Sequence, residues 1–471
     1  MANSKKEKKE LVIIGAGPGG YAAAFRAADL GIKTTLIDPE ANPGGVCLYR
    51  GCIPSKALLH VAKVKKKALE LANFGVRFGE PEIDVKKIGE WKDEVVKKLT
   101  SGLGQLSKAR KVEFIQGKAF FKDEQTLEIK ENSGDSYELE FENVIIATGS
   151  TPTELPNIEV DHQLIWNSKD ALDIKEIPKK LLVIGGGYIG LELGSVYANL
   201  GSEVSVAEMT SGFLPGADRD LVKVFEKEHP FKNLYFDTKV EKVNAKKKKV
   251  EVVLKSGDKE QKKKFDKVLV AIGRKPNVKA SKPQNAGVEI GQDGFIKVFS
   301  NRKTSANNIY AIGDITGQPM LAHKASHEGR VAAEVIKGEK GSAYDAKVIP
   351  AIVFTDPEIA WCGLTEEELK SSNIDAKVVK FPWSASGRAK ALGTDNGLTK
   401  LIVDKESEII LGGGVAGKNA GSLIPEIALA IEMGTTARDL SLTIHPHPTL
   451  SETIMESAEL FYGSPTHIVD K

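Results

Sequence analysis

Two stretches of the chain share one succession of apolar, glycine-rich and helix-forming blocks. They are ELVIIGAGPGGYAAAFRAADLGIKTTLID at 10–38 and KLLVIGGGYIGLELGSVYANLGSEVSVAE at 180–208. Each runs from a short apolar strand through a glycine turn into an Ala- and Leu-rich helix, then a glycine break, a second strand and an acid. That order predicts a βαβ unit written twice. Further strands are expected in NVIIATGS (143–150), KVLVAIGRKPN (267–277) and NIYAIGD (308–314), the last leading to a helical KASHEGRVAAEVIKG. Ser-Gly-Asp within VEVVLKSGDKEQ predicts a hairpin, and the lysine runs at 245–249 and 262–264 read as solvated strand ends. Beyond about residue 345, AIVFTDPEIAWCG and KLIVDKESEIILGGGVAG read as strands and LIPEIALAIEMG as a helix. The fold class is therefore α/β, with two Rossmann-like dinucleotide-binding domains and a C-terminal α+β domain lacking a nucleotide turn.

Composition narrows the function. At 471 residues, about three domains are expected. The 66 basic and 64 acidic residues leave a formal charge of +2, which makes no case for nucleic acid as a partner. No run of about 18 apolar residues suggests a membrane span. The opening MANSKKEKKELVIIG has neither a secretory apolar region nor the acid-poor character of a transit peptide. Three cysteines in so long a chain point away from a disulphide scaffold and toward a cytoplasmic protein. Two of the three, Cys47 and Cys52, nonetheless fall together in GGVCLYRGCIPSKALLH. The spacing alone leaves open a staple, half a metal site or a redox couple, although no second pair exists to complete a zinc site.

A single G-x-G-x-x-G carries little weight, but here Gly15, Gly17 and Gly20 follow a strand and open a helix, and Asp38 ends the next strand. Gly185, Gly187, Gly190 and Glu208 repeat the pattern at the same offset. Such turns let backbone approach a pyrophosphate at a helix N-terminus, while the acid accepts from a ribose hydroxyl. Glu208 would bond a 2′-hydroxyl and repel a 2′-phosphate, so the second site should prefer NAD to NADP. Two dinucleotides beside a cysteine pair suggest electrons passing between nicotinamide and sulphur through a flavin. Pro54 suits a first helical turn, which puts Cys52 at a helix N-terminus where the dipole favours a thiolate. Lys56 then lies on the same helical face. Among eight histidines, His447 in HPHPTLSE stands five residues before Glu452, a spacing that suits a base and its orienting partner. His445 is expected to shape the turn and Cys362 to be a core thiol.

These motifs, in this order along essentially the whole chain, resemble the dihydrolipoamide dehydrogenase family of flavin-dependent pyridine nucleotide-disulphide oxidoreductases. The resemblance implies an FAD domain at 1–150, an NAD domain at 151–277, a central domain completing the FAD site at 278–346, and an interface domain at 347–471. It assigns FAD to Gly15, Gly17, Gly20, Asp38, Lys56, Thr148, Gly149 and Asp314, and NAD to Gly185, Gly187, Gly190, Glu208 and Gly273. No metal is implied. Cys47 becomes the thiol that exchanges with substrate and Cys52 the thiol facing the flavin. Lys56 is paired with Glu192, and His447 with Glu452 serves as the base, arriving from the other subunit of a homodimer. The implied reaction oxidises protein-bound dihydrolipoamide and reduces NAD. The implied partners are lipoyl domains and the acyltransferase core of 2-oxo acid dehydrogenase complexes, or the glycine cleavage carrier protein.

Nearby chemistries fit less well. A glutathione reductase-like enzyme needs cations where Glu208 stands, and a mercuric reductase carries a C-terminal cysteine pair that FYGSPTHIVDK lacks. A soluble transhydrogenase does not need the cysteine couple, and a silent structural subunit would not need these side chains at all. Two departures from relatives stand out. Tyr49-Arg50 replaces a common Asn-Val, and Lys418 replaces a common proline. Tyr49-Arg50 reads first as a tolerated loop variation; the alternative is that Arg50 lowers a neighbouring thiol's pKa or helps recognise an acidic carrier.

Overall fold

Strand Lys8–Ile14 buries its last four residues and pairs in parallel on both sides, with Thr34–Asp38 and with Ser136–Ile146. A strand with neighbours on two edges and helices on its faces has no solvated side, hence the unbroken LVII. In this computed structural model, which describes residues 8–469, five such parallel strands form the first sheet. Strand Thr126–Glu131 joins it antiparallel, pairing with the far halves of Glu113–Phe121 and Ser136–Ile146. Strand Ile309–Ala311, remote in sequence, supplies one edge by pairing with Ser136–Ile146.

The helix after the first glycine turn, Pro18–Asp29, begins on its proline and buries Gly19, Gly20, Ala23, Ala24 and Ala27. This small-residue face meets helix Ala322–Lys337 at backbone distance: a Cβ on Gly329 would lie 2.4 Å from the Gly19 carbonyl oxygen. Segment 309–337 thus closes the first βαβ unit from both edge and face. The second unit has five parallel strands in the order 233–235, 203–207, 180–184, 267–270 and 165–166. An antiparallel meander over 239–265 follows, with Ser256 opposite Lys259 across a two-residue Gly-Asp turn, as the hairpin signal predicts. The third sheet, 351–417, is antiparallel and is covered by helices Ala420–Met433 and Glu452–Phe461. No helix among the described residues is long and apolar enough to cross a membrane. Two elements lie outside the sequence reading. Val85–Ala109 is a 25-residue helix capped by Asp84, whose buried residues are Lys92, Val96, Thr100 and Ser107, too polar to register as an apolar stripe. Gly45–Arg50, around Cys47, is helical rather than loop.

The second and third sheets are joined by apolar and ionic contacts. Leu221 of helix Arg219–Glu226 enters a hollow over Gly414, where a Cβ would stand 2.3 Å from its Cδ1. Beside it the fully buried Lys400 ammonium contacts Asp218 at 2.7 Å, Asp220 at 3.0 Å and Glu366 at 2.6 Å. Lys380 pairs with Asp220 and Glu366, each at 2.7 Å. Burial alone would push these two carboxyls up, but hydrogen bonds from both lysines and their fields outweigh it and hold Asp220 and Glu366 below the usual range. Carboxyls depressed in the folded state contribute stability above their unfolded pKa of about 4, and that stability is lost as pH falls through the folded value. Lys400→Met leaves Asp218 without its cation and Asp220 and Glu366 with Lys380 alone, and should cost about 3 kcal/mol at neutral pH in urea unfolding. The deficit should shrink below about pH 4, where protonated carboxyls no longer need the cation.

Candidate active site

Within each nucleotide fingerprint the three glycines have different tasks. Gly15 turns at φ +102° with the Ala147 carbonyl oxygen only 2.4 Å from where a Cβ would be, so only glycine fits. Gly20 packs helix on turn, its missing Cβ 1.8 Å from the Gly15 oxygen. Gly17, at the helix N-cap, has nothing nearer than 4.0 Å and leaves bare backbone before the helix N-terminus. Gly185, Gly190 and Gly187 repeat these roles. Asp38 accepts from the Ala16 amide at 2.7 Å and the Glu40 amide at 2.9 Å. Burial pushes its carboxyl up, against those two amides and Arg50, which pull it down. Glu208 likewise accepts from the Gly186 amide at 2.6 Å, and from the Thr210 amide at 2.9 Å. Both acids therefore tether their glycine turns, a role the sequence reading had not assigned to them.

Gly15, Gly17 and Asp38 line a cavity of about 760 Å³ that also reaches Cys47, Cys52, Lys56, Thr148, Gly149, Glu192 and Asp314. Bare helix N-terminal backbone, a ribose-side acid and a thiol pair in one continuous cavity fit a flavin dinucleotide. Gly185, Gly187, Gly190, Glu208 and Gly273 belong to the second unit and do not line it.

Cys52 is the first residue of helix Cys52–Glu70, as the Pro54 signal predicts. A hydrogen bond from the Cys47 thiol, the Lys56 charge and the helix N-terminus together outweigh burial and bring Cys52 down to about 7. The same hydrogen bond, with burial, pushes Cys47 strongly up. The pair is thus polarised, with the thiolate on Cys52. Lys56 sits one turn along; its ammonium contacts Glu192 at 2.7 Å and lies 4.6 Å from the Phe354 ring centroid. The other Glu192 oxygen accepts from the Phe354 amide at 3.1 Å. Phe354 is a site residue that sequence reasoning missed.

Between the cysteines, the Tyr49 hydroxyl accepts from the Asn42 amide and donates to the Asn42 carbonyl, stapling the preceding loop. Arg50 points the same way, contacting Glu40 at 2.6 Å. The cation whose charge acts on both sulphurs is Lys56, whereas Arg50 pairs with Glu40.

At Asp314, the Ser150 hydroxyl donates to the carboxylate, and Ser150 in turn takes a hydrogen bond from Arg274 Nε at 2.7 Å. The turn carrying Asp314 is held by the buried Glu328, which accepts from the Gly313 amide at 2.6 Å and pairs with Arg302 at 2.8 Å and Lys324 at 2.9 Å. Ser150, Arg274 and Glu328 stood inside quoted motifs (ATGS, AIGRKPN, KASHEG) without a stated role.

His447 and Glu452 form the expected pair, Nδ1 to Oε1 at 2.9 Å, and Glu452 also accepts from the Thr449 amide at 2.7 Å. They do not line the cavity; His447 is 72% exposed on the loop before helix Glu452–Phe461. His445 sits in the turn with Glu426 at 2.6 Å and the Thr443 carbonyl at 2.8 Å. Cys362 is buried in the third sheet, which raises its thiol to about 12.

Lys56 and Cys52 yield a direct prediction. In the reduced protein, alkylation of Cys52 should rise with pH around 7, and Lys56→Met should move that midpoint upward by about one unit or more. Mass mapping of the alkylated peptide at each pH checks both the midpoint and the order of modification.

Comparison with known proteins places this geometry. Residues 9–329 match the pyridine nucleotide-disulphide oxidoreductase family and 349–458 match its dimerisation domain. The chain is 50% identical over 467 residues to a dihydrolipoyl dehydrogenase of Haemophilus influenzae, covering 99% of this chain and 97% of the relative. It is 44% identical over 465 residues to that of Geobacillus stearothermophilus, covering 98% of each. Among solved structures, LpdA from Mycobacterium tuberculosis superposes with a TM-score of 0.89 at 27% identity, over 96% of this chain and 99% of that one. The HOCl-induced flavoprotein disulphide reductase RclA from Escherichia coli superposes at 0.84 with 28% identity, over 96% and 99%. With both family segments matched and half of its residues identical to a relative over nearly the full length, the chain belongs to the pyridine nucleotide-disulphide oxidoreductase family.

Proposed function

We propose that this protein is a dihydrolipoyl dehydrogenase, oxidising protein-bound dihydrolipoamide to lipoamide and reducing NAD. FAD and NAD are the cofactors of the family, and the near-full-length identity to dihydrolipoyl dehydrogenases supports the substrate. The observation that carries the reading is the Cys47–Cys52 pair, with Cys52 at a helix N-terminus, in the same cavity as the first glycine turn.

In the oxidised protein the two sulphurs form a disulphide. One thiol of dihydrolipoamide gives its proton to His447 of the partner subunit and attacks Cys47 as a thiolate, breaking the Cys47–Cys52 bond. Glu452 of the partner subunit orients that imidazole and stabilises its charged form. The leaving sulphur, Cys52, departs as a thiolate stabilised by Lys56 and its helix N-terminus. The second substrate thiol then attacks the mixed disulphide, closing the lipoyl ring and releasing Cys47, which takes up a proton. Bound in the cavity, FAD would supply an acceptor for the electron pair of the dithiol and a hydride donor for nicotinamide. The bare turn at Gly17 would hold its diphosphate and Asp38 its ribose, and Thr148, Gly149 and Asp314 line the cavity around the remainder. Gly187 and Glu208 hold NAD, the glutamate excluding a 2′-phosphate, with Gly273 at the edge of the same unit.

A homodimer is supported by the dimerisation match and by exposed apolar residues beside His447, including Ile444 at 95% exposure with Leu442, Met433 and Leu429. The carriers we assign are lipoyl domains of 2-oxo acid dehydrogenase complexes, with their acyltransferase core, or the glycine cleavage carrier protein.

Purified protein should reduce NAD, and NADP far less, when given dihydrolipoamide; a flavin-bearing dimer without that activity would overturn the assignment. His447→Gln should lower kcat by about 10²–10⁴-fold while leaving Cys52 alkylation unchanged. Cys47→Ser should abolish turnover yet retain flavin, as measured by absorbance of the purified variant.

A further inference from the structure

Arg50 is absorbed neither by the disulphide exchange nor by the thiolate chemistry, yet it lines the cavity. Its position is fixed from both ends of its short helix. The first residue, Gly45, lies against the glycine turn: a Cβ there would stand 2.5 Å from Gly17 Cα. The preceding Gly44 amide donates to the Ala16 carbonyl at 2.8 Å. The last residue is Arg50, whose Nη2 contacts Glu40 at 2.6 Å, two positions beyond Asp38. The short helix thus starts against the glycine turn and ends with a guanidinium on Glu40, close enough to Asp38 for its charge to act on that carboxyl.

Two carboxylates, Asp38 and Glu40, flank this end of the cavity, and a diphosphate beside them needs compensating charge. Of the other cations lining the cavity, Lys56 is engaged by Glu192 and Arg274 by Ser150, both toward the thiol and Asp314 end. Lys118, on the strand next to Asp38, and Arg50 are left for the nucleotide end. Arginine has five donors in a planar fork, and the Glu40 contact occupies one edge while fixing the plane. Holding the fork in place before the ligand arrives lowers the cost of binding.

We infer that Arg50 is a cofactor-binding residue, its guanidinium donating to the adenosine-diphosphate half of FAD. The inference rests on FAD occupying this cavity, and it makes the Arg50 departure a device for flavin retention.

The test is release of FAD from the diluted holoenzyme, followed by the fluorescence of free flavin. Arg50→Gln and Arg50→Val should raise the FAD dissociation constant about tenfold at low ionic strength, the scale of one charge-assisted hydrogen bond, with Arg50→Lys in between. The gap should narrow in high salt. Glu40→Gln should stay near the parent, because removing a carboxylate beside a diphosphate offsets the loss of the Arg50 anchor. Unfolding midpoints of the flavin-free proteins should change little, since a single partly solvated ion pair adds little stability. Equal FAD retention in Arg50→Gln and parent overturns the inference. So does a Glu40→Gln variant that loses FAD as readily as Arg50→Gln, which would assign the effect to the ion pair alone. A parent protein purified without flavin would instead refute the cofactor itself, and the two failures are told apart before any variant is made.

Discussion

The ion pair between Lys56 and Glu192 joins three parts of the chain at the point where the chemistry takes place. Lys56 comes from the redox helix and Glu192 from the helix after the second glycine turn. The Phe354 amide and ring that complete the arrangement come from the start of the dimerisation segment. A carboxylate only 4% exposed is costly to hold as a charge unless it is paired and hydrogen-bonded. Here one oxygen has the ammonium and the other the amide, so the arrangement stands only when all three parts are docked. The cation that helps lower Cys52 is thereby held in place by the assembled fold. Electrostatics at the sulphur and packing between sheets are the same interaction seen from two sides.

The two βαβ units share a local design but are finished differently. In each, one glycine makes the turn, one packs the helix and one leaves backbone bare. The first unit then receives an edge strand and a crossing helix from residues 309–337, which bring Asp314 to the cavity wall. The second is finished instead by a lysine-rich meander and by the buried Lys400 cluster that fixes it to the third sheet.

Local features were legible in the sequence wherever a short-range rule governs them. Strand, glycine turn and helix recur at fixed spacing, Pro54 marks the start of the helix carrying Cys52, and Ser-Gly-Asp marks a two-residue hairpin. His447 and Glu452 are close enough in sequence for their contact to be expected from spacing. What escaped depends on partners far along the chain. Nothing near Glu192 announces Phe354, 162 residues away, and nothing near Gly313 announces that Glu328 holds its amide. The long helix Val85–Ala109 escaped because its buried face includes lysine, threonine and serine. The partner of Arg50 was likewise not announced: its proximity to two cysteines in sequence suggested an effect on sulphur, whereas its guanidinium pairs with Glu40, before the short helix begins.

The third cysteine gives the molecule a practical property. Cys362 lies inside the dimerisation sheet with its thiol raised to about 12, out of reach of reagents that attack thiolates in water near neutral pH. Of the three sulphurs, only Cys52 is exposed and lowered toward neutral pH, and so open to such reagents. A count of thiols that react near neutral pH on the native protein therefore reads zero when the pair is a disulphide and one when it is reduced, and serves as a built-in gauge of its oxidation state.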